Sequence, residues 1–262
     1  MSQEAARSEG PANHREREIL EELRLAGGSG RIPFLARRLH VSEETIRRNI
    51  RTLEANGLVT KVHGGVHLKD VAGEQPLHFR MIENADAKRQ IAARVAGIIQ
   101  DGDTLFLDIG STTAFIAVAL QKHRDLFIVT NSVAVAHTLT GRNGNRVFLA
   151  GGELRPHDAG AFGAEAIAFI RRFSLRYAIL STTAVNDRSG FMLSDMEEAE
   201  LSREAGLRAE KRIVVADSAK FDRSAPIVPV PASSYDMLVT NAAPPANIAA
   251  MLLENGIEIV LA

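Results

Sequence analysis

Residues 37–65, RRLHVSEETIRRNIRTLEANGLVTKVHGG, constrain this chain more than any other stretch. A short apolar helix runs into a tight turn at His40-Val41, and a second helix opens at Ser42. Gly57, an apolar strand-like segment and the tip Lys61-Val62-His63-Gly64-Gly65 follow. This order reads as a winged helix-turn-helix, a fold that presents its second helix to the major groove of duplex DNA.

The second helix has chemistry to match. Ser42 suits its N-cap, because a hydroxyl there accepts a hydrogen bond from a backbone N–H two or three residues on. Glu43 and Glu44 fall in the first turn, where the helix dipole favours negative charge. Ile46, Ile50 and Leu53 recur at i, i+4 and i+7 and make an apolar face. Glu44, Arg47, Arg48 and Arg51 make the opposite face. Arginine bridges guanine O6 and N7 or holds phosphates. Arginines on an isolated helix are as often an ordinary solvated face. The preceding helix, the turn and the basic glycine-rich tip together favour the DNA reading. The candidate DNA contacts are Arg38, Ser42, Thr45, Arg47, Arg48, Asn49, Arg51, Lys61, His63 and Gly64.

The charge distribution agrees. The formal net charge is −1, but residues 31–69 hold eight Lys/Arg against three Glu, a balance of +5. Residues 1–30 balance to −2 and residues 70–262 to −4. A basic module on a mildly acidic body fits a regulator better than a bulk coat on nucleic acid. Its DNA binding is expected to depend strongly on salt. At 262 residues the chain has room for one small and one medium domain. There are no cysteines, so no disulfide framework, thiolate metal site or cysteine nucleophile is available. No metal and no cofactor is expected. The polar start MSQEAARSEGPANH lacks the apolar core of a signal peptide, and no run approaches the roughly 18 apolar residues of a membrane span. A cytoplasmic, non-membrane protein is expected.

Along the chain, residues 1–13 read as a disordered tail and residues 14–69 as the winged helix-turn-helix domain. Its helices are expected over 14–26, 32–39 and 42–56, with a wing hairpin over 58–68. A linker spans 70–85. From residue 86 to 262 the pattern changes. DTLFLDI, DLFIVTN, NRVFLAG, YAILSTT, KRIVVAD, DMLVTN and IEIVLA are short apolar runs of strand character. Helical patterns lie between them, near 86–100, 112–122, 132–140, 161–173, 194–210 and 245–255. Strands alternating with helices imply βαβ units and an α/β domain with a mostly parallel sheet.

In such sheets ligands sit beyond the carboxyl ends of strands, at helix N-termini. Polar clusters stand in those places. Asp108-Ile109-Gly110-Ser111-Thr112-Thr113 follows one strand and opens a helix. Gly110 lets the backbone come close, the three hydroxyl residues add donors, and the helix N-terminus adds free N–H groups, a set suited to phosphate. Thr130-Asn131-Ser132, Gly151-Gly152-Glu153 and Asp217-Ser218-Ala219-Lys220 follow other strands. Lys220 can hold phosphate as a point charge. Ser, Thr and Asn are common helix caps, so each cluster alone says little. Four at successive strand ends are better explained by one shared site. Arg155 is a candidate anion contact, and His157 either lines the same pocket or caps a loop.

Arg15, Ile19, Leu20, Leu23, Leu35-Ala36, Val41-Ser42, Thr45-Ile46-Arg47-Arg48, Leu53, Gly57 and His63-Gly64-Gly65 resemble the N-terminal signature of the DeoR family of bacterial transcription regulators. The family usually carries Asp where this chain has Asn49. Such an Asn can pair with an adenine edge or serve as a neutral structural substitution. The resemblance extends through Lys88, DIGSTT, VTNS, AGGELR, Gly160 with Gly163, and ADSAKF. It implies an effector domain related to ribose-5-phosphate isomerase and a phosphorylated sugar or polyol as ligand. LFLDIGSTT, LAGGELRPHDAG and TNAAPPANIAAMLLENGIEIVLA resemble the glycerol-3-phosphate-responsive members, which makes glycerol 3-phosphate the leading effector. The effector-binding set is then Lys88, Asp108, Gly110, Ser111, Thr112, Thr113, Asn131, Gly151, Gly152, Arg155 and Lys220. The segment ILSTTAVNDRSGF departs from the family's S-G-I-D pattern with Thr182-Thr183-Ala184-Val185.

The rival reading is a sugar-phosphate isomerase with a DNA-binding head. Isomerisation by proton transfer needs a positioned general base. In the isomerase the acids lie in a G-A-D-E strand end and a T-R-E-K helix. Here the first place reads Ser181-Thr182-Thr183-Ala184, and the second falls at Ser202. Glu198 or Glu200 would need a register shift to stand in. No catalytic residue is assigned. The expectation is a repressor of a carbohydrate or polyol operon, acting as a homodimer or homotetramer on paired half-sites of operator double-stranded DNA.

Overall fold

The computed structural model describes residues 14–26, 28–62, 65–68 and 77–262. The expected tail over 1–13, Gly27, the wing-tip contacts His63 and Gly64, and the 70–76 part of the expected linker lie outside the described residues. The contacts separate into two compact units, divided between residues 76 and 77.

The first unit contains α1 (His14–Leu25), β1 (Ser29–Arg31), α2 (Ile32–Arg38), α3 (Glu43–Ala55), β2 (Val59–Val62) and β3 (Gly65–Leu68). Ile19, Leu20 and Leu23 of α1 meet Ile32 and Leu35 of α2, Ile46, Ile50 and Leu53 of α3, and Val59, Val66 and Leu68 of the sheet in one buried cluster. Each large aliphatic side chain so buried contributes about 1.5–3 kcal/mol of transfer free energy. The sheet order is β1-β3-β2, antiparallel throughout. The sequence reading gave the wing a hairpin over 58–68 and assigned no element between the helices over 14–26 and 32–39. Ser29–Arg31 in fact pairs as a third strand with Gly65–His67. Ser-Gly-Arg carries no apolar alternation, so nothing local announced it.

That third strand explains His67. It is buried, and its Nδ1 lies 2.7 Å from the Ser29 hydroxyl, joining β3 to β1. Burial pushes its pKa below the ordinary 6.5, against an opposing effect of the Gly28 backbone.

In chain order the second unit contains α4 (Leu77–Arg80), α5 (Ala85–Ala96), β4 (Thr104–Leu107), α6 (Ser111–Ala119), β5 (Phe127–Thr130), α7 (Val133–Leu139), β6 (Arg146–Leu149), α8 (Gly163–Ile170) and β7 (Leu175–Ser181). There follow the hairpin strands β8 (Ala184–Asn186) and β9 (Gly190–Met192), then α9 (Met196–Leu207), β10 (Ala209–Val215), β11 (Met237–Thr240), α10 (Ala246–Glu254) and β12 (Glu258–Leu261). Seven strands form one sheet in the order β12-β11-β10-β7-β4-β5-β6, parallel at every pairing. Helices α5, α6 and α7 cover the face that carries Leu105, Leu107, Ile128 and Ile179. Helices α8, α9 and α10 cover the face that carries Phe106, Val129, Ala178 and Leu180. With both faces covered, the strands read as near-continuous apolar runs, as parallel strands do.

The strand order locates the crevice. From β4 the chain runs outward through β5 and β6, then returns to the other side of β4 as β7 and runs outward again. The connections leaving β4 and β7 therefore diverge, and a cleft opens at their carboxyl ends. Residues 77–80 are a helical turn where the sequence reading placed linker. The β8–β9 hairpin was not anticipated, since its strands are only three residues each.

Folding keeps His67 neutral, so the unfolded chain binds the proton first as pH falls. The N-terminal unit should hold its full stability above about pH 6.5 and lose it progressively below, down to the depressed folded value. Thermal denaturation between about pH 7.5 and 5.5 should show that loss, and His67→Gln should flatten it. An equal slope in both proteins would assign the effect to another group.

Candidate functional site

The first unit presents α3 as the sequence reading expected. Ser42 Oγ accepts from the Thr45 N–H at 3.2 Å and lies 2.9 Å from the Thr45 hydroxyl, closing the N-cap. Ile46, Ile50 and Leu53 face inward, while Arg48 and Arg51 are exposed. The arginines are not equivalent. Arg47 donates to Glu43 at 2.6 Å and has Glu44 3.9 Å away. Arg38 is held in a fork by Glu22 at 3.0 and 3.3 Å. Arg48 and Arg51 make no ion pair among the described residues, which leaves their guanidinium groups available for phosphates or base edges. Lys61 is exposed on the wing, its N–H donating to Glu54 at 3.0 Å.

Asn49 needs a correction. It is 6% exposed, on the inner side of α3, and its Nδ2 donates to the Thr45 carbonyl at 2.8 Å. A side chain folded back onto its own helix is not placed to read an adenine edge. Its place among the DNA contacts is withdrawn.

In the second unit, the end of β4 is stitched to the end of β7. Asp108 is 4% exposed. One of its oxygens accepts from the Ile109 N–H at 2.8 Å. The other accepts from the Ser181 N–H and hydroxyl, each at 3.2 Å. This carboxylate braces the crevice. Gly110 follows at φ 150°, and a Cβ there would stand 3.2 Å from Ser181 Cβ, so only glycine fits between the two strand ends. Helix α6 then opens with no side chain capping its N-terminus. Ser111, Thr112 and Thr113 are buried around that end, and the Thr113 hydroxyl donates to the Gly110 carbonyl at 3.0 Å. Uncapped N–H groups in the field of the helix dipole form an anion site.

Residues 150–162 fold back as a flap. Ser132 bridges Gly160, and Leu154 bridges Ala161. The Ala161 N–H donates to the Asn131 carbonyl at 3.0 Å. Asn131 is fully buried. Its Nδ2 reaches the Ala161 carbonyl at 3.4 Å, and its Oδ1 has no hydrogen-bond partner among the described residues. Gly160 packs so closely on the β4 turn that a Cβ would collide with Ile109 Cδ1. Gly151 and Gly152 lie exposed where the flap begins.

Arg155 departs from the expected role. Its guanidinium donates to Glu198 at 2.8 Å and Asp195 at 2.9 Å, lies 3.4 Å from Glu197 and 3.7 Å from Asp158, and stands over the Phe162 ring at 3.8 Å. Burial works against its charge, but Glu198, Asp195 and Asp158 outweigh it and raise its pKa. Four carboxylates leave this cation no free edge for a phosphate, so it pins the flap to the start of α9. Lys88 is also reassigned. It is 3% exposed, and its Nζ donates to the carbonyls of Arg80 and Glu83 at 2.6 and 2.7 Å. At the end of β10, Asp217 caps the turn Ser218–Lys220 by accepting the Ala219 N–H at 3.0 Å. Lys220 is half-buried there.

The places that the sequence reading compared with the isomerase acids are occupied as follows. Ser181 ends β7 and Thr182 follows it, Ser202 is buried within α9, and Glu198 is held by Arg155. The sequence reading missed the Arg155 cluster and the bond from Asn84 Nδ2 to Asp217 Oδ1 at 3.2 Å. Their partners are 133 residues apart in the second case, and no local pattern signals such a pair.

Comparison with known proteins gives a consistent result. The sequence model of the DeoR-like helix-turn-helix domain matches residues 15–71, and that of the DeoR C terminal sensor domain matches residues 83–242. The glycerol-3-phosphate regulon repressor of Escherichia coli K12 is 34% identical over 227 residues, 87% of this chain and 90% of that protein. The HTH-type transcriptional repressor CsqR of the same organism is 35% identical over 230 residues, 88% of each. Ribose 5-phosphate isomerase A of Methanocaldococcus jannaschii overlays with a TM-score of 0.39 and 14% identity, over 53% of this chain and 55% of that one. At that score the overlay says nothing about activity.

Gly160→Ala should press a methyl into Ile109 and cost about 1–3 kcal/mol in thermal denaturation. Ile109→Val removes the colliding Cδ1. The double variant should therefore be more stable than the sum of the two single losses implies. Simple additivity would show that the flap does not bear on the β4 turn.

Proposed function

This chain belongs to the DeoR family, and on that premise we propose that it is a transcriptional repressor whose hold on operator DNA is set by a small phosphorylated metabolite. The observation that carries this reading is the uncapped N-terminus of α6 at the crevice between β4 and β7. Phosphate is stabilised at such a site by free N–H groups and the helix dipole together. Ser111 and Thr112 supply hydroxyls beside it, and Lys220 supplies a positive charge at the end of β10. Glycerol 3-phosphate is the leading ligand, because the strand-end segments resemble members that respond to it and a relative covering most of the chain carries that name.

DNA is bound through α3, with Arg48 and Arg51 as the principal contacts and Ser42, Thr45, Arg47 and Lys61 beside them. One head offers few base contacts, so two or four copies on paired half-sites are proposed. The setting is the cytoplasm; no described helix is long and apolar enough to cross a membrane. The ligand can change operator affinity only by as much as it prefers one state over the other. Catalysis is no part of the proposal, since among the described residues the carboxylate nearest the end of β7, Asp108, is held by the Ile109 and Ser181 donors. Turnover of ribose 5-phosphate above background would overturn a purely sensing role.

Arg48→Ala and Arg51→Ala should each weaken operator binding by about 1–3 kcal/mol, read by fluorescence anisotropy. Arg47→Ala should cost less, because that side chain is already spent on Glu43. Wild-type affinity in both Arg48 and Arg51 variants would remove α3 from the groove. Lys220→Ala should blunt the thermal stabilisation given by glycerol 3-phosphate while leaving operator binding intact. Lost operator binding in that variant would point to a folding role instead.

A further inference from the structure

The chain enters the second unit at Leu77, and its first residues there are held by polar links to the strand-end loops. The Leu77 N–H donates to the His157 carbonyl of the flap at 3.0 Å. The Arg80 and Glu83 carbonyls both accept from Lys88 Nζ. Asn84 sits in the left-handed region at φ 51° and donates to Asp217 Oδ1 at 3.2 Å. That same Asp217 oxygen accepts the Ala219 N–H and so shapes the turn that ends at Lys220. Helix α4 is a single turn, and of the side chains described between residues 77 and 84 none is buried. A segment held through hydrogen bonds of this kind can rearrange locally without unfolding the sheet.

Lys88 makes the electrostatic half of the link. Its ammonium is taken out of water and spends two of its three donors on carbonyl oxygens, which do not neutralise it. Burial lowers its pKa, Asp217 opposes that, and Lys220 adds to it. The charge state around the Ser218–Lys220 turn is therefore felt at the residue that grips Arg80 and Glu83. An anion at Lys220 cancels the like-charge repulsion on Lys88 and competes with Asp217 for the local donors.

We propose that Asn84 and Lys88 form a clasp that couples occupancy of the Asp217–Lys220 turn to residues 77–84, the segment through which the chain continues to its DNA-binding unit. Both are positioning residues and touch no ligand. The clasp rests on the reading of that turn as part of the ligand site. When the turn closes on a phosphate, Asp217 Oδ1 shifts its hydrogen bonds, Asn84 loses its anchor, and 77–84 changes its set.

Asn84→Gly tests this in the full chain. Glycine keeps the left-handed backbone without strain and deletes only the amide. Glycerol 3-phosphate is the probe. Three quantities are read for wild type and N84G: operator affinity with and without probe, thermal stabilisation by the probe, and deuterium uptake over 77–88 and 217–221. N84G should bind operator without probe within about twofold of probe-saturated wild type and keep the thermal stabilisation, so that the probe-driven change in operator affinity shrinks about tenfold or more. An undiminished response overturns the clasp. Loss of the thermal stabilisation also overturns it, by placing Asn84 in ligand binding. A probe that stabilises wild type without altering its operator affinity overturns clasp and sensor reading together. If the probe does not stabilise wild type, the ligand assignment fails and deuterium uptake decides the clasp alone. N84G should then raise uptake in both segments, and a rise confined to 77–88 overturns it.

Discussion

The contact between the ends of β4 and β7 governs the second unit. These two strands are adjacent in the sheet, but their connections leave on opposite faces. Asp108 holds the divergence together by accepting from the Ile109 N–H on its own strand end and from the Ser181 N–H and hydroxyl on the other. A buried carboxylate is tolerated there because local donors satisfy it. Gly110 then lets the chain turn beside Ser181, and α6 starts at the lip of the crevice with its first N–H groups uncapped. The flap settles over this arrangement because Gly160 has no side chain to keep it off Ile109.

Much of this was legible in the sequence. The seven strands announced themselves as short apolar runs because both faces of the sheet are covered. The two faces of α3 followed from 3.6-residue spacing, and the Ser42 cap from its position. Strand order was not legible, because nothing in a strand's own residues says which side of β4 it joins. The third strand of the first unit, Ser29–Arg31, is recognised only by its pairing with Gly65–His67. Charged residues were the main source of error. Lys88 and Arg155 have the right type for a phosphate contact, but three-dimensional partners had already claimed them: two backbone carbonyls for one and four carboxylates for the other. Asn49 was misplaced for a similar reason, since its amide turns back onto Thr45.

The two units divide the work along chemical lines. The first concentrates positive charge on one helix face and tempers it locally. Glu43 and Glu22 occupy Arg47 and Arg38, which leaves Arg48 and Arg51 as the open cations of α3. The second unit commits Arg89, Arg155, Arg171, Arg176, Arg208 and Arg212 to carboxylates, and its proposed anion site rests on backbone N–H groups at a helix start. Such groups cannot be lost by titration and are fixed by the sheet.

The central claim is that α6 begins a phosphate site. A backbone amide NMR titration with glycerol 3-phosphate tests it most directly. The expected result is a saturable downfield shift of the Ser111, Thr112 and Thr113 N–H signals at one common affinity, as each donates to an anion. Saturable binding that moves other amides while leaving these three unchanged would contradict the account.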